Sequence, residues 1–506
     1  MNLLMILDMA ASALGDRQAL CVRGEGPTYA ELRLQAASGG AYLREHGEAA
    51  IFVGTSGPDF VSAFFACNWG DVPFVPLNFR LANDQLHQQI ERVGDAVIIC
   101  EPAYAAELER PGRKIVTTPE WASIVAAPPA VEATPAEVPE HIALKLFTSG
   151  TTAEPKAAVL EHRHLAAYIL SSVEFASADE NDVALVSVPP YHIAGVANLL
   201  SNVFAGRRII YLTAFDPAAW LDTVRREGVT QAMVVPTMLA RITEELAGAE
   251  SAGVPLLRTI SYGGSPMPHT VLERALQLFP ETGFVNAYGL TETSSSIAVL
   301  GPEDHRKALE SGDELARRRL SSVGRPLPGI EIEIREGARV LPADEHGEIW
   351  VRGEQVSGSY AGLESPCDEQ GWFPTRDVGW IDDEGYLFVE GRADDTIIRG
   401  GENIAPAEIE DVLLRHPAVL DVAVVGIPDE EWGQRIAAAV VLRPGHRVTP
   451  EELSDWSRAQ LRSSKAVEIV VIREELPRTE TGKLVRRHVL AELLAELADD
   501  DGPDLG

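Results

Sequence analysis

Short apolar runs alternate with longer segments of helical spacing through most of the chain. Residues 49–53 (AAIFV), 96–100 (AVIIC), 184–188 (ALVSV), 232–235 (AMVV) and 259–262 (TISY) read as buried strands. Between them, segments such as 28–44 and 217–227 carry apolar residues at helix spacing. This alternation predicts an α/β protein with mostly parallel sheets flanked by helices. After about residue 325 the pattern changes. Residues 329–335 (GIEIEIR) and 348–352 (EIWVR) alternate strictly, which predicts a small sheet with one wet face.

A second boundary falls near residues 391–395. Beyond it the pattern gives a helix (407–415), strands (419–425 and 436–442), a helix (450–461) and a strand (468–472). The expected organisation is a large N-terminal domain over 1–391, a hinge at 392–395, and a small mobile α+β domain over 396–506 with a frayed acidic tail. The apolar start, MNLLMILD, lacks a basic leader and is interrupted by Asp8, so it reads as a first helix on the core rather than a signal peptide. Residues 128–139, rich in Pro, Ala and Glu, read as a linker.

Length and charge then narrow the function. The 506 residues suggest about three domains or subdomains and can bury large cores without disulfides. Cys21, Cys67, Cys100 and Cys367 lie far apart with no CxxC, which suits neither a zinc site nor a disulfide framework and fits a reducing, cytoplasmic setting. No apolar run reaches about 18 residues, so no membrane span is expected. Lys+Arg is 43 and Asp+Glu 76, a formal net charge of −33. Such a field repels phosphate backbones and anionic lipids, arguing against nucleic acid as a main partner. Anionic ligands must then be held at locally prepared sites.

Five stretches carry candidate chemistry. In LFTSGTTAEPK (146–156) four hydroxyls surround Gly150 and Lys156 follows. Hydroxyls and exposed backbone N–H groups suit polyphosphate oxygens, although Ala157 after the lysine departs from the Walker pattern. Alone, the stretch reads equally as a Ser/Thr-rich surface loop. Tyr288-Gly-Leu-Thr-Glu292 follows an apolar strand, 283–287, and offers a ring, a hydroxyl and a carboxylate; alone it also fits a plain strand-to-loop turn. GWFPTRDVG (371–379) sets Asp377 in a glycine-flanked turn, where a carboxylate either accepts from ribose hydroxyls or caps backbone. GRADDTIIRGGENIAPAEIE (391–410) joins the two regions, with paired glycines that allow close ligand approach and Asp394 where a hinge would lie. PRTETGK (477–483) puts Lys483 in a Thr-Gly turn. Only six lysines occur, against 37 arginines, so a lysine here hints at a need for a compact ammonium.

The order and spacing of these stretches, with PPYHIAG (189–195) and YGGSPMP (262–268), resemble the adenylate-forming superfamily: acyl-CoA synthetases, firefly-luciferase-like enzymes and adenylation domains of peptide synthetases. The resemblance runs from about residue 19 to 488. It implies a phosphate loop of Thr148, Ser149, Gly150, Thr151, Thr152 and Lys156. It implies an adenine pocket lined by Gly263, Gly264 and Ser265, with Tyr288 stacking and Gly289 beside it. Thr291 would meet the α-phosphate, Glu292 would hold Mg²⁺, and Asp377 and Arg392 would hold the ribose. Asp394 matches the hinge. Lys483 matches the lysine that bridges carboxylate and α-phosphate, and Gly400, Gly401 and Trp432 match CoA-binding positions. His192 matches the inner end of the thiol tunnel, beside an acyl pocket of Ala194, Gly195, Tyr262, Gly264 and Ala287. The implied activity is ATP-dependent ligation of an acid to CoA, through an acyl-adenylate and a rotation of the small domain.

Some positions depart from the family's pattern. Ala153 and Ala157 stand where the phosphate loop usually has Gly, and Arg376 replaces the usual Gly before the ribose aspartate. Residues 464–467 (SKAV) lack the aromatic and proline that usually flank the lysine. Peptide-synthetase domains carry Phe-Asp where this chain has Tyr191-His192, which argues against amino acids. No carrier domain follows Lys483, so free CoA is the expected acceptor, with a separate acyl-carrier protein or a weakly catalytic adenylate-binding homologue as alternatives. The small, uncharged acyl-pocket set implies a hydrophobic monocarboxylic acid, fatty, aromatic or alicyclic. A homodimer is compatible with this reading.

Overall fold

The structure is a computed structural model and describes residues 2–22, 24–128, 138, 140–148, 156–311, 317–400, 402–429, 432–479 and 484–500. Its large N-terminal part is built on three sheets. The first has six strands in the order Lys114–Thr117, Val97–Cys100, Ala50–Val53, Phe74–Pro76, Ile142–Thr148 and Lys156–Glu161. All neighbours are parallel except the last pair, which sets Thr148 opposite Lys156. The second has eight, ordered Leu20–Cys21, Arg208–Tyr211, Val183–Val186, Gln231–Val234, Thr259–Gly263, Gly283–Leu290, Ser295–Leu300 and Arg325–Pro326. Six run parallel and the last two close the edge antiparallel. Every residue of Ala50–Val53, Val97–Cys100 and Val183–Val186 is buried, as the uninterrupted apolar runs require.

Helices fill the space between these sheets. Leu4–Leu14, the expected first helix, buries Leu4, Ile6, Leu7 and Ala10. Tyr29–His46 starts at Thr28, whose hydroxyl and Glu31 form a capping box. It lies against Pro58–Gly70 so closely that a Cβ on Gly40 would stand 2.6 Å from the Trp69 ring. That contact fixes glycine there.

The third sheet is antiparallel, ordered Arg339–Val340, Glu331–Glu336, Gly347–Arg352, Phe373–Ile381 and Leu387–Arg392. Ile334, Ile349 and Val351 are buried while Glu331 and Glu336 face solvent, the one-wet-face sheet expected. Two local expectations change. The strand expected over 283–287 continues to Leu290, with a bulge at Tyr288/Gly289, and only then turns through the 3₁₀ segment Thr291–Thr293. Asp377 lies not in a turn but inside Phe373–Ile381, paired in register with Arg392. The glycines at 371 and 379 misled: Gly371 is in the turn, whereas a Cβ on Gly379 would meet the Phe388 carbonyl at 2.1 Å.

The smaller C-terminal unit begins after the 3₁₀ turn Ala393–Asp395 with a hairpin, Ile397–Arg399 and Glu402–Ile404. Strands Val419–Asp429, Gly433–Leu442 and Ile469–Arg473 form its sheet, flanked by helices Pro406–Leu414, Pro450–Gln460 and Arg486–Asp500. Apolar clusters cover both faces of that sheet. Among the described residues, no helix is long and apolar enough to cross a membrane. Most of the expected linker over 128–139 lies outside the described residues.

Candidate active site

Residues expected to hold the nucleotide gather where the second and third sheets meet. The Tyr288 hydroxyl donates to Asp377 Oδ2 at 2.6 Å, and Arg392 Nε stands 3.0 Å from Asp377 Oδ1. Arg392 also donates from Nη1 to the Thr375 carbonyl at 2.8 Å. Asp377 is 7% exposed, so these donors stabilise its charge in a poorly hydrated place. Burial, and then the Asp377 carboxylate, push the Tyr288 phenol well above the ordinary tyrosine range. Arg376, beside the pair, has φ +60°, a left-handed backbone that costs an L-residue about 1–2 kcal/mol. The family's usual glycine would relieve it.

Glu292 is buried in the turn that follows Gly283–Leu290. Its Oε1 accepts from the Tyr360 hydroxyl at 2.7 Å, and its backbone carbonyl accepts from Ser357 N at 2.9 Å. Ser294 and Ser295 continue the turn at φ +57° and +115°. The Gln355 amide holds that strained segment, donating to the carbonyls of Thr293 at 2.9 Å and Ser296 at 2.7 Å. Lys156 places its ammonium 5.4 Å from the centre of the Tyr360 ring. Thr148 Oγ1 donates to the Lys156 carbonyl at 3.3 Å. Gly263 ends its strand where a Cβ would stand 2.2 Å from the Ala287 carbonyl, and Gly264 follows at φ +86°. Ser265 is half-buried beside it.

Ser149, Gly150, Thr151, Thr152, Ala153, Gly401 and Lys483 lie outside the described residues.

Towards the other edge of the second sheet, a cleft of about 380 Å³ opens at the carboxyl ends of parallel strands from both large sheets. Val188, Pro189, Leu212, Phe215, Val235 and Met238 give it apolar walls. Ser187 adds a buried hydroxyl with no hydrogen-bond partner among the described residues. Arg80, Arg241 and Arg478 also line it, all exposed. Arg478 belongs to the 477–483 stretch of the small unit, and its guanidinium is also held by Asp421 at 2.7 Å.

The expected acyl-pocket set is only partly brought together. His192 caps the helix Ile193–Ala205, whose first turn carries Ala194 and Gly195, directly after the cleft residues Pro189 and Pro190. A Cβ on Gly195 would meet the Pro189 carbonyl at 2.6 Å. Gly264 and Ala287 lie towards the nucleotide side, at the ends of Thr259–Gly263 and within Gly283–Leu290. Tyr262 is a correction. Its side chain is fully buried among Leu272, Phe279 and Phe284, and its hydroxyl bonds His305 Nε2 at 2.9 Å. Period-two alternation puts it on the face of Ile260, beneath the sheet rather than at its rim. None of the expected acyl-pocket residues lines the cleft itself, and its three arginines are exposed.

On the small unit, Gly400 has φ +57° and donates its N–H to the Trp432 carbonyl at 2.8 Å. Trp432 is 45% exposed, with the Arg399 guanidinium 5.3 Å from its ring centre. Arg399 reaches the Ser464 carbonyl at 3.0 Å, and Lys465 pairs with Glu408. Asp394 is exposed in the connecting 3₁₀ turn, and its neighbour Asp395 stands 3.7 Å from Arg486.

Sequence reasoning missed Tyr360, Gln355, Arg80 and Arg241. Arg80 follows the end of the strand Phe74–Pro76, which was a usable signal, whereas Arg241 lies inside the helix Pro236–Glu245. Tyr360 and Gln355 lie in a loop without periodicity.

Comparison with known proteins identifies the family. Residues 7–361 match the AMP-binding enzyme family, and residues 408–483 match the AMP-binding enzyme C-terminal domain. The chain is 32% identical to a fatty acid–[acyl-carrier-protein] ligase of Streptomyces coeruleorubidus, over 88% of this chain and 86% of that one. It is 33% identical to the 2-succinylbenzoate–CoA ligase of Bacillus cytotoxicus, covering 90% and 91%. Its fold is similar to that of o-succinylbenzoate CoA synthetase from Bacillus subtilis, solved with its acyl-adenylate intermediate (TM-score 0.85, 31% identity, 96% and 97% covered) and with ATP and magnesium ion (TM-score 0.84, 30% identity, 97% and 99% covered). With both family matches in order along it, the chain is an acid–thiol ligase of the AMP-binding enzyme family, within the adenylate-forming superfamily.

Proposed function

We propose that this chain activates a hydrophobic monocarboxylic acid with ATP, forming an acyl-adenylate and pyrophosphate, and then transfers the acyl group to the CoA thiol. The observation that carries the reading is the convergence of Lys156, Glu292, Tyr288, Asp377 and Arg392 around Tyr360 and the end of Gly283–Leu290.

Both reactants of the first step are anions, so attack on the α-phosphate needs alignment and charge neutralisation. Asp377 accepts from ribose hydroxyls, alongside or in place of Tyr288 and Arg392; a carboxylate has about four acceptor sites. Backbone N–H groups near Gly263, Gly264 and Ser265 bind the adenine edge. The Thr291 hydroxyl meets the α-phosphate, and Lys156 with the Thr148–Thr152 hydroxyls holds the outer phosphates. Glu292 suits Mg²⁺: Oε1 is occupied by Tyr360, while Oε2 makes no hydrogen bond among the described residues. No group of three or more His, Cys, Asp or Glu surrounds it there, which fits a cation that takes its other ligands from phosphate and water. When bound, such a cation neutralises phosphate charge.

In this reading Lys483 joins the acid and α-phosphate in the adenylating arrangement, and residues 392–395 let the small unit rotate. Gly400 and Gly401 then line the approach of the thiol, which ends near His192, while Trp432 lies where the adenine end of CoA would stack. The exposed Trp432 ring favours CoA, with an adenine to stack, as acceptor. The likeness to a fatty acid–[acyl-carrier-protein] ligase favours the second reading, transfer to a separate carrier protein.

The test is acid-dependent pyrophosphate release across aliphatic, aromatic and dicarboxylic acids, with and without CoA. A thioester with a hydrophobic monocarboxylic acid is expected. Preference for a dicarboxylic acid would shift specificity to the arginines of the cleft, and thioester formation with no acid would overturn the ligase reading.

A further inference from the structure

Residues 357–361 form a strap between the two sides of the nucleotide site. At one end, the N–H groups of Ser357 and Gly358 donate to the Glu292 carbonyl, at 2.9 and 3.3 Å. At the other, Val159 N donates to the Ser359 carbonyl at 2.9 Å and Ala361 N to the Ala157 carbonyl at 2.8 Å. Tyr360 is bridged to Ala158, so the strap lies along the edge of Lys156–Glu161, opposite the strand Ile142–Thr148. Gly358 is held at φ +55°, where a Cβ would stand 2.5 Å from Cys367 Sγ.

The side chain repeats the connection made by the backbone. Its hydroxyl donates to Glu292 Oε1 at 2.7 Å, and the Lys156 ammonium lies 5.4 Å from its ring centre. One residue therefore touches both the carboxylate suited to the metal and the lysine at the end of the phosphate-loop stretch. Lys156 belongs to the first sheet and Glu292 to the 3₁₀ turn that follows a strand of the second, 136 positions away. A carboxylate in a short turn can rotate about its own side-chain bonds; a charge-assisted bond to a phenol fixed by the strap removes that freedom.

We propose that Tyr360 is a positioning residue for metal-bound ATP. It fixes one oxygen of Glu292 so that the other faces the phosphates, and it sets the spacing between that carboxylate and Lys156. This rests on the ligase reading and adds a role that the family match does not assign.

The test uses the full chain with Tyr360→Phe, which keeps the ring beside Lys156 and removes the hydroxyl, together with Glu292→Gln and the double variant. Calorimetric titration with ATP is done with magnesium and with EDTA. Y360F is expected to weaken binding of the magnesium complex about tenfold, the scale of a lost bond to a charged group, and to leave metal-free ATP binding within twofold. The magnesium needed for half-maximal pyrophosphate release rises in parallel, while thioester formation from supplied acyl-adenylate stays within twofold. In the E292Q background, the added substitution changes magnesium-ATP binding less than twofold. Unchanged magnesium dependence in Y360F, equal loss with and without metal, or a full tenfold loss in the E292Q background would each overturn the proposal. Should Y360F fail to fold, Tyr360→His, which retains a ring and a donor, must keep at least a third of the wild-type magnesium-ATP affinity. Absence of pyrophosphate release by the wild type, with Y360F still selectively weakened towards magnesium-ATP, would count against the ligase reading alone.

Discussion

The Tyr288 phenol and the Asp377 carboxylate, 89 positions apart, share a 2.6 Å hydrogen bond across the seam between the second and third sheets. The strand that carries the expected adenine-stacking ring is thereby fastened to the strand that carries the expected ribose acceptor. Tyr288→Phe should raise the KM for ATP about tenfold, by loss of a bond to a charged acceptor, with a smaller change in kcat. Asp377→Asn should be more damaging, because it weakens the grip of Tyr288 and Arg392 together. Initial rates of pyrophosphate release over a range of ATP concentrations measure both. An ATP KM in Y288F equal to that of the wild type would show that the bond is not used.

Arg376 adopts φ +60° beside this pair. Arg376→Gly should raise the urea midpoint by an amount equivalent to about 1 kcal/mol, because glycine enters that region without a Cβ clash. Arg376→Ala, which keeps the Cβ, should not. If both variants shift stability equally, the lost guanidinium and not the backbone is responsible.

Two buried histidines set a pH window. His162 and His164 are each lowered to about 4 by burial, against 6.5 when exposed. At these two positions, between those values, the unfolded state binds more protons than the folded one, whereas Asp59, raised to about 6 by burial, acts in the opposite sense. The stability associated with neutral imidazoles is therefore complete above pH 6.5 and is lost as pH falls towards 4. For His162 a shift of this size is worth on the order of 3 kcal/mol. Urea titrations at pH 7, 5.5 and 4.5 should show the decline. His162→Asn, which can still accept from Leu3 N as Nδ1 does, should flatten it even if it lowers stability at pH 7. A decline of the same steepness in that variant would assign it to other groups.

Lys483→Ala should separate the half-reactions. Acid-dependent pyrophosphate release should fall about 10²–10³-fold, the range for removing one transition-state donor. Thioester formation from supplied acyl-adenylate should change only severalfold. Comparable loss of both would contradict the use of alternating faces of the small unit.

Much of this was legible in the chain. Uninterrupted apolar runs such as 97–100 announced strands buried on both faces, and the alternation at 348–352 announced a sheet wet on one side. The motifs named Tyr288, Glu292 and Asp377 as a set. Their mutual geometry was not legible, because cross-sheet bonds such as Tyr360–Glu292 leave no periodic trace. Tyr262 was misplaced for a different reason. Its motif neighbours Gly263 and Gly264 suggested a rim position, while its parity with Ile260 pointed inward, and on a strand parity decides. The strain at Arg376 needed a backbone angle, which only its departure from the family's glycine hinted at.

The parallel second sheet also has a bearing on how such a protein can diversify. Within the second sheet, the cleft draws on loops after Val183–Val186, Arg208–Tyr211 and Gln231–Val234, whereas the expected nucleotide-binding cluster draws on Thr259–Gly263 and Gly283–Leu290. These strands are neighbours in one sheet, yet their loops are separate stretches of sequence. Mutations in the first group can therefore drift, or be recombined as a block, without rewriting the second. The layout keeps two groups of loops separable within one sheet, each able to change in sequence while the strands beneath stay paired.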